Sequence, residues 1–432
     1  MKSFILFVPR FIISEIKLSS NKDLLTSTMA NDDLGGLSTT KLHEMDDFLN
    51  KTYIEPKKLA GLLTTVYRKG ELVHCNPIGL KDRDSNAEVD KDTIFRIYSM
   101  TKPITSIALM MLYEKGLFQL DDPVHKYIPE FKSLAVYVSG KDPDFITKPV
   151  DRPVNIHDLL THQSGFTYDF MQTTEVDFAY EKRNIMRNKD KSLEYFIKEL
   201  SVLPLQFSPG TRWNYSVSVD ICGYLIQLLS GYSLDDFFKK YIFDPLGMKD
   251  TDFYVPSEKI NRVASNYLYT GPGIPRLITS KEEGDITQKP KLLSGGGGLM
   301  STSGDYLQFC KMILGNGKFE GRQFVSRKTI ELMSSNHLTG GADLSHMAFS
   351  RWSESKFDGT GFGLGFSVIT DPVRARTLSS KGEIAWGGLA STAFWIDPLE
   401  DLIVIFMTQL IPSTTYDIRR QLRSYVYGSI LD

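Results

Sequence analysis

The stretch Ile97-Tyr98-Ser99-Met100-Thr101-Lys102-Pro103-Ile104 sets a hydroxyl one helical turn ahead of an amine. In a helix that begins near Ser99, these two positions share a face and both side chains reach one cleft. A hydroxyl is a poor nucleophile at neutral pH unless a neighbouring base takes its proton. A lysine is such a base only when burial or nearby charge keeps it partly neutral. The spacing alone carries little weight, because it recurs at Ser14, Ser19, Ser38 and Ser353. What separates Ser99 is the apolar stripe behind it, Ile104, Ile107, Ala108, Met111 and Leu112, closed by Gly116.

A Ser–Lys pair needs a third group to pass protons between nucleophile, leaving group and water. Tyr215 is the candidate, on the Pro209-Gly210 turn that runs into an apolar helix. A free phenol has a pKa near ~10, so a standing phenolate at neutral pH costs roughly 4 kcal/mol. One nearby cation lowers a pKa by only about 1–3 units. A shared hydrogen bond among Tyr215, Lys102 and Ser99 asks for less than full ionisation. The third stretch is Trp386-Gly387-Gly388-Leu389, where two glycines let backbone approach a ligand closely. There the Leu389 amide, with that of Ser99, can receive a developing oxyanion, each donor contributing about 2.7–4 kcal/mol. Trp386 walls the same cleft.

Other chemistries fit poorly. Seven histidines are present, but His157 and His162 have no second ligand at metal spacing. There is no Gly-x-Ser-x-Gly elbow, and the Gly295–Gly298 run lacks the lysine of a phosphate loop. A formal net charge of −2 and the lack of a basic cluster argue against nucleic acid. Cys75, Cys222 and Cys310 are widely spaced and odd in number, which reads as free thiols in a reducing compartment.

The elements that must position these groups follow from periodicity. Residues 1–41 read as a tail or leader: Met1–Ile13 is basic and apolar but broken by Pro9 and Arg10, and transit segment, anchor and plain tail all stay open. Leu42–Leu49 reads as a helix, and Gly61–Tyr67 with Glu71–His74 as a hairpin. Thr93–Tyr98 reads as a strand-like approach to Ser99. Residues 121–260 read as mostly helical, with helices at Val154–Leu160, Ser192–Leu203, Val219–Leu229 and Leu234–Phe243. Tyr168, Phe170, Phe178 and Tyr180 are packing aromatics or the wall of an acyl pocket. Strands are expected at Phe362–Ile369, Ala390–Ile396 and Leu402–Thr408, and a closing helix at Arg419–Leu431. The expected fold is therefore α+β. An antiparallel sheet from residues 42–120 and 261–432 is flanked by helices, with a mostly helical domain at 121–260 inserted. No stretch beyond the N-terminus has the apolar length of a membrane span, and a cytoplasmic location is expected.

Several motifs in order resemble the serine β-lactamase-like superfamily, most closely the family VIII carboxylesterases and their class C β-lactamase relatives. They are Ser99-Met-Thr-Lys102, Leu159-Leu-Thr-His-Gln-Ser-Gly165, Phe207–Tyr215, Asp244-Pro-Leu-Gly-Met248, Gly295–Ser303 and Trp386-Gly-Gly388. The resemblance spans residues 45–425 or so and implies a β-lactamase/DD-peptidase-like fold. It implies Ser99 as nucleophile, Lys102 and Tyr215 as the proton-handling pair, and the Ser99 and Leu389 amides as the oxyanion hole. It also implies Trp386, Gly387 and Gly388 beside the substrate, and no cofactor or metal.

Two departures shift the expected substrate. Ser216-Val217 follows Tyr215 where the family's asparagine touches a β-lactam amide, and Trp386 replaces the lysine that binds a β-lactam carboxylate. Both favour a neutral small-molecule ester over an antibiotic. The alternatives are an acyltransferase sharing the same acyl-enzyme, a β-lactamase or D-amino-acid peptidase, and a non-catalytic interaction protein on this fold.

Overall fold

Strands from both ends of the chain meet in one antiparallel sheet. The computed structural model describes residues 34–432 except 187–189, 280–281, 283 and 351, so the leader reading of residues 1–33 lies outside the described residues. Strand β1 (Gly61–Arg68) turns at Lys69-Gly70 into β2 (Glu71–Asp82), followed by β3 (Ala87–Glu88). The C-terminal part supplies β4 (Thr360–Phe362), β5 (Ser367–Ile369), β6 (Ile384–Gly387), β7 (Ala393–Asp397) and β8 (Leu402–Thr408). The spatial order is β4-β5-β6-β7-β8-β1-β2-β3. The seam joining the two chain ends is β1 against β8, from Leu62 opposite Thr408 to Arg68 opposite Leu402.

Strand β8 explains why both faces are covered. All seven of its residues are buried, and because side chains alternate across a sheet they feed two separate cores. Leu402, Val404 and Phe406 pack with Leu42, Leu49, Leu422 and Val426, from helices α1 (Thr39–Leu49) and, at the end of the chain, Ile418–Gly428. Ile403, Ile405 and Met407 join the larger core, which continues through Ile104, Leu159, Leu225 and Phe309. Deleting one such side chain, as in Ile405→Ala, costs about 2–5 kcal/mol.

The larger core contains α2 (Thr101–Tyr113), in which eleven of thirteen residues are buried. A helix apolar on nearly every side belongs in an interior, and α2 packs against α3 (Ser218–Ser230) within the core that the inner face of the sheet joins. No helix among the described residues is long and apolar enough to cross a membrane.

Some boundaries differ from those read in the sequence. Ser38 caps α1, which starts at Thr39, and Leu37 is fully buried and bridges to Ile430. Phe362–Ile369 is two paired strands, because Gly365 takes a φ of 104° that turns the chain. Only Phe95–Arg96 of the approach to Ser99 pairs as a strand, with Met300–Ser301. Strand β7 begins at Ala393 because Ser391, at φ 70°, still belongs to the turn. The stretch 121–260 also carries a hairpin, Ala135–Ser139 against Ile146–Pro149, among its helices.

Candidate active site

Ser99 lies in a single 3-10 turn, Tyr98–Met100, that runs straight into α2. Tyr98 has a φ of 43°, a left-handed conformation that a bulky residue adopts only when its surroundings hold it there. Its hydroxyl accepts from the Asn266 amide at 2.7 Å, and the Met100 carbonyl accepts from the Tyr306 hydroxyl at 2.9 Å. The turn is thus pinned on both sides of Ser99.

The structure brings all three expected side chains together. The Tyr215 hydroxyl donates to Ser99 Oγ at 2.5 Å. Lys102 Nζ lies 3.2 Å from the same oxygen and donates to the Gly296 carbonyl at 2.6 Å. Lys102 and Tyr215 have no exposed surface, and Ser99 retains 8 %. Burial lowers the Lys102 pKa to about 7, against smaller upward contributions from the Asp220 and Glu354 carboxylates. Burial pushes Tyr215 well above the usual tyrosine value. The pair therefore meets Ser99 at neutral pH as a half-neutral amine and a neutral phenol.

The glycine run at 295–298 turns out to be the rear wall of this group. It lies along α2, with the Gly295 carbonyl accepting from Thr105 Oγ1 at 2.7 Å and the Leu299 amide donating to Thr101 Oγ1 at 3.1 Å. Asp220, buried in the first turn of α3, accepts from the Gly296 amide at 3.0 Å and from Ser294 Oγ at 2.5 Å. A Cβ on Gly296 would stand 2.3 Å from the Asp220 carboxylate, so only glycine lets this backbone pass and offer its carbonyl to Lys102.

Tyr215 is held by the Leu159–Gly165 motif. The His162 carbonyl accepts from the Asn214 amide at 2.9 Å, and the Gly165 carbonyl from the Gln206 amide at 2.7 Å. Trp213 exchanges backbone bonds with Met347 and Phe349 at 2.8 and 2.7 Å. Both sides of the tyrosine are therefore anchored to separate parts of the chain.

The turn after β6 comes up against Ser99 from the sheet. A Cβ on Gly388 would stand 2.4 Å from the Ile97 carbonyl, which shows how closely the two backbones pass. The Ser99 and Leu389 amides donate to no acceptor among the described residues. Trp386 is 2 % exposed, with its ring centroid 5.4 Å from that of Tyr215 and edge-on to Phe362. It backs Tyr215 more than it lines an open surface.

Four neighbours went unread in the sequence. Trp352 stacks on Tyr215 with centroids 4.8 Å apart and planes 23° apart. Buried Glu354 pairs with half-buried Arg419 at 2.5 Å, and Asp220 braces Gly296. For Asp220 a signal existed: an acid within the apolar run Val219–Ile226 has to be paired or buried at a cost. Of the four aromatics considered as an acyl wall, Tyr168 lies 5.2 Å from Tyr215 and Phe170 lies 5.0 Å from Trp352. Phe178 is instead exposed and Tyr180 buried in the core.

Comparison with known proteins bears on the family and the fold. Protein MT1414 of Mycobacterium tuberculosis is 33 % identical over 362 residues, covering 83 % of this chain and 88 % of its own. Esterase EstB of Burkholderia gladioli is 27 % identical over 372 residues, covering 82 % and 87 %. The solved structure of EstCE1, described as a hydrolase with promiscuous acyltransferase activity, superposes with a TM-score of 0.76 at 25 % identity, over 90 % of this chain and 99 % of that one. The beta-lactamase family model matches residues 49–424, and with an antiparallel sheet, a Ser-x-x-Lys turn and a tyrosine arranged as described, the chain belongs to the beta-lactamase family.

Proposed function

We propose that this protein hydrolyses small neutral carboxylic esters through an acyl-enzyme on Ser99. The observation that carries the reading is the convergence of Lys102 and Tyr215 on Ser99 Oγ, at 3.2 and 2.5 Å. Neutral Lys102 takes the Ser99 proton as Oγ bonds to the ester carbonyl carbon. The Ser99 and Leu389 amides receive the oxyanion. As the ester C–O bond breaks, Tyr215 gives its proton to the leaving alcohol and recovers one from Lys102. Water then attacks the acyl-enzyme by the reverse route and frees the acid and Ser99. The aromatic surroundings of Tyr168, Phe170 and Trp352 support an apolar, uncharged acyl group, as does Trp386 in place of a carboxylate-binding lysine.

Acyl transfer to an alcohol or amine is the second reading, favoured by the similarity to EstCE1. It shares the first half-reaction and differs only in the acceptor. The free thiols Cys75, Cys222 and Cys310 support a reducing, cytoplasmic location.

The test is a p-nitrophenyl ester chain-length series with wild type and Ser99→Ala, alongside labelling by a fluorophosphonate. Turnover and labelling are expected in wild type and absent in Ser99→Ala. A wild-type protein that is neither labelled nor active would leave the fold with an inert cleft. Adding an alcohol during turnover separates the two readings, since a transferase yields the new ester in place of the acid.

A further inference from the structure

Arg419 is the second residue of the closing helix α4 at Ile418–Gly428, far in sequence from Ser99, Lys102 and Tyr215. Its guanidinium nevertheless touches two segments that border the site. Nη2 donates to the Thr392 carbonyl at 2.9 Å and reaches the Gly388 carbonyl at 3.4 Å, the two ends of the turn that carries the Leu389 amide. The same group meets Glu354 twice, at its carboxylate (2.5 Å) and at its backbone carbonyl (2.6 Å). Glu354 stands two residues from Trp352, whose ring covers Tyr215, and its side chain is fully buried. A Cβ on Gly387 would lie 2.3 Å from Nη2, so the strand end is shaped around this guanidinium.

We propose that Arg419 is a positioning residue: it fixes the Gly387–Leu389 turn against Ser99 and, through Glu354, latches the Trp352 segment over Tyr215. This rests on the acyl-enzyme reading above. The geometry requires a planar fork, because four acceptors on two chain segments are met at once, which an ammonium on a flexible stem cannot reproduce. The paired Glu354 carboxylate neutralises the cation, so Arg419 offers no free charge to an anionic substrate. Its effect on the reaction passes through the turn amide, which must already be aimed where the oxyanion forms.

A cavity of about 340 Å³ borders Glu354, Trp386 and Arg419, and it provides the means of testing the idea. In Arg419→Ala, a free guanidinium ion can enter from this cavity and reoccupy the vacated fork. The expected result is a fall in kcat of about 10- to 100-fold with KM changed less than about threefold. The fraction of protein finally labelled by a fluorophosphonate should stay at the wild-type level while the labelling rate falls with kcat. Millimolar guanidinium should restore much of the lost kcat in Arg419→Ala and none in wild type. Arg322→Ala, at an exposed position outside the lining of this cavity, serves as the control with unchanged turnover.

Should Arg419→Ala strand Glu354 and fail to fold, Arg419→Ala/Glu354→Gln removes both charges and is read the same way. Wild-type kcat in a folded variant, or a loss that guanidinium does not reverse, overturns the proposal. Neither result touches the acyl-enzyme reading, which fails only if wild type itself is unlabelled and inactive.

Discussion

Lys102 Nζ lies closer to the Gly296 carbonyl, at 2.6 Å, than to the Ser99 hydroxyl, at 3.2 Å. The amine is therefore aimed from behind, by a backbone oxygen that Asp220 holds through the Gly296 amide. A neutral carbonyl steadies an ammonium without fixing it in the charged state as a carboxylate would. That leaves burial in command of its titration.

With a Lys102 pKa of about 7, the neutral amine becomes the major form as pH rises through neutrality. The kcat/KM for an ester should climb tenfold per pH unit below about 7 and level off above it. Steady-state rates across that interval check this. A flat profile, or one that declines through neutrality, contradicts a base role for Lys102.

Stability should follow the same titration. Because the folded pKa is depressed from 10.5 to about 7, the unfolded chain binds more protons between those values, and stability rises with pH there. Below about pH 7 the amine is charged in both states and the burial penalty is complete. Lys102→Met should abolish turnover yet raise the melting temperature, with a gain of the order of a few kcal/mol near pH 6 that shrinks as pH rises from about 7 and is nearly gone by the unfolded pKa of 10.5. Thermal denaturation at the two pH values reads it.

Tyr215→Phe deletes one oxygen and keeps the ring that stacks on Trp352. A drop in kcat of about 10²–10⁴-fold is expected with the fold intact. Near-normal turnover in the phenylalanine variant would assign the leaving-group proton to Lys102 alone.

Gly296→Ala sets a methyl group 2.3 Å from Asp220 and 2.9 Å from the Tyr168 hydroxyl. Overpacking of this kind costs about 1–3 kcal/mol. The carbonyl beneath Lys102 must shift as well, so turnover should fall further than the lost stability accounts for. Denaturant titration and kcat measured on the same preparation separate the two effects.

Trp352→Ala removes a stacked ring worth about 0.5–1.5 kcal/mol. If an apolar acyl group packs in the same aromatic surroundings, KM should rise severalfold for long or aryl esters and little for acetates. An equal change across the series would assign Trp352 to holding Tyr215 instead.

The sequence made part of the site legible because that part is local. Ser99 and Lys102 are three residues apart on an element whose helical period is plain, and the Gly387-Gly388 pair announces close backbone approach. Tyr215 stood out only as an aromatic before a helix; its 2.5 Å contact with Ser99 spans 116 residues. Trp352, Glu354 and Arg419 stayed silent because each is ordinary by itself and acquires a role through a tertiary neighbour. His157 shows the same limit: its ring nitrogen lies 3.1 Å from that of His337, 180 residues away, which no spacing rule could anticipate. Among the strands, β8 was legible from its uninterrupted apolar run. Phe362–Ile369 reads as one strand from its composition, whereas the positive φ of Gly365, which the residue type permits but does not announce, turns it into two.

The seam between β1 and β8 also bears on how the chain is made. The nucleophile's helix leaves the ribosome early, whereas the turn facing it follows 289 residues later, roughly 15–60 s at ordinary elongation rates. Until then the first hairpin has no neighbour along one edge and the buried side of α2 has no cover. Nascent chains of this protein should therefore be inactive and chaperone-dependent until the last strands emerge, whatever the speed of folding afterwards.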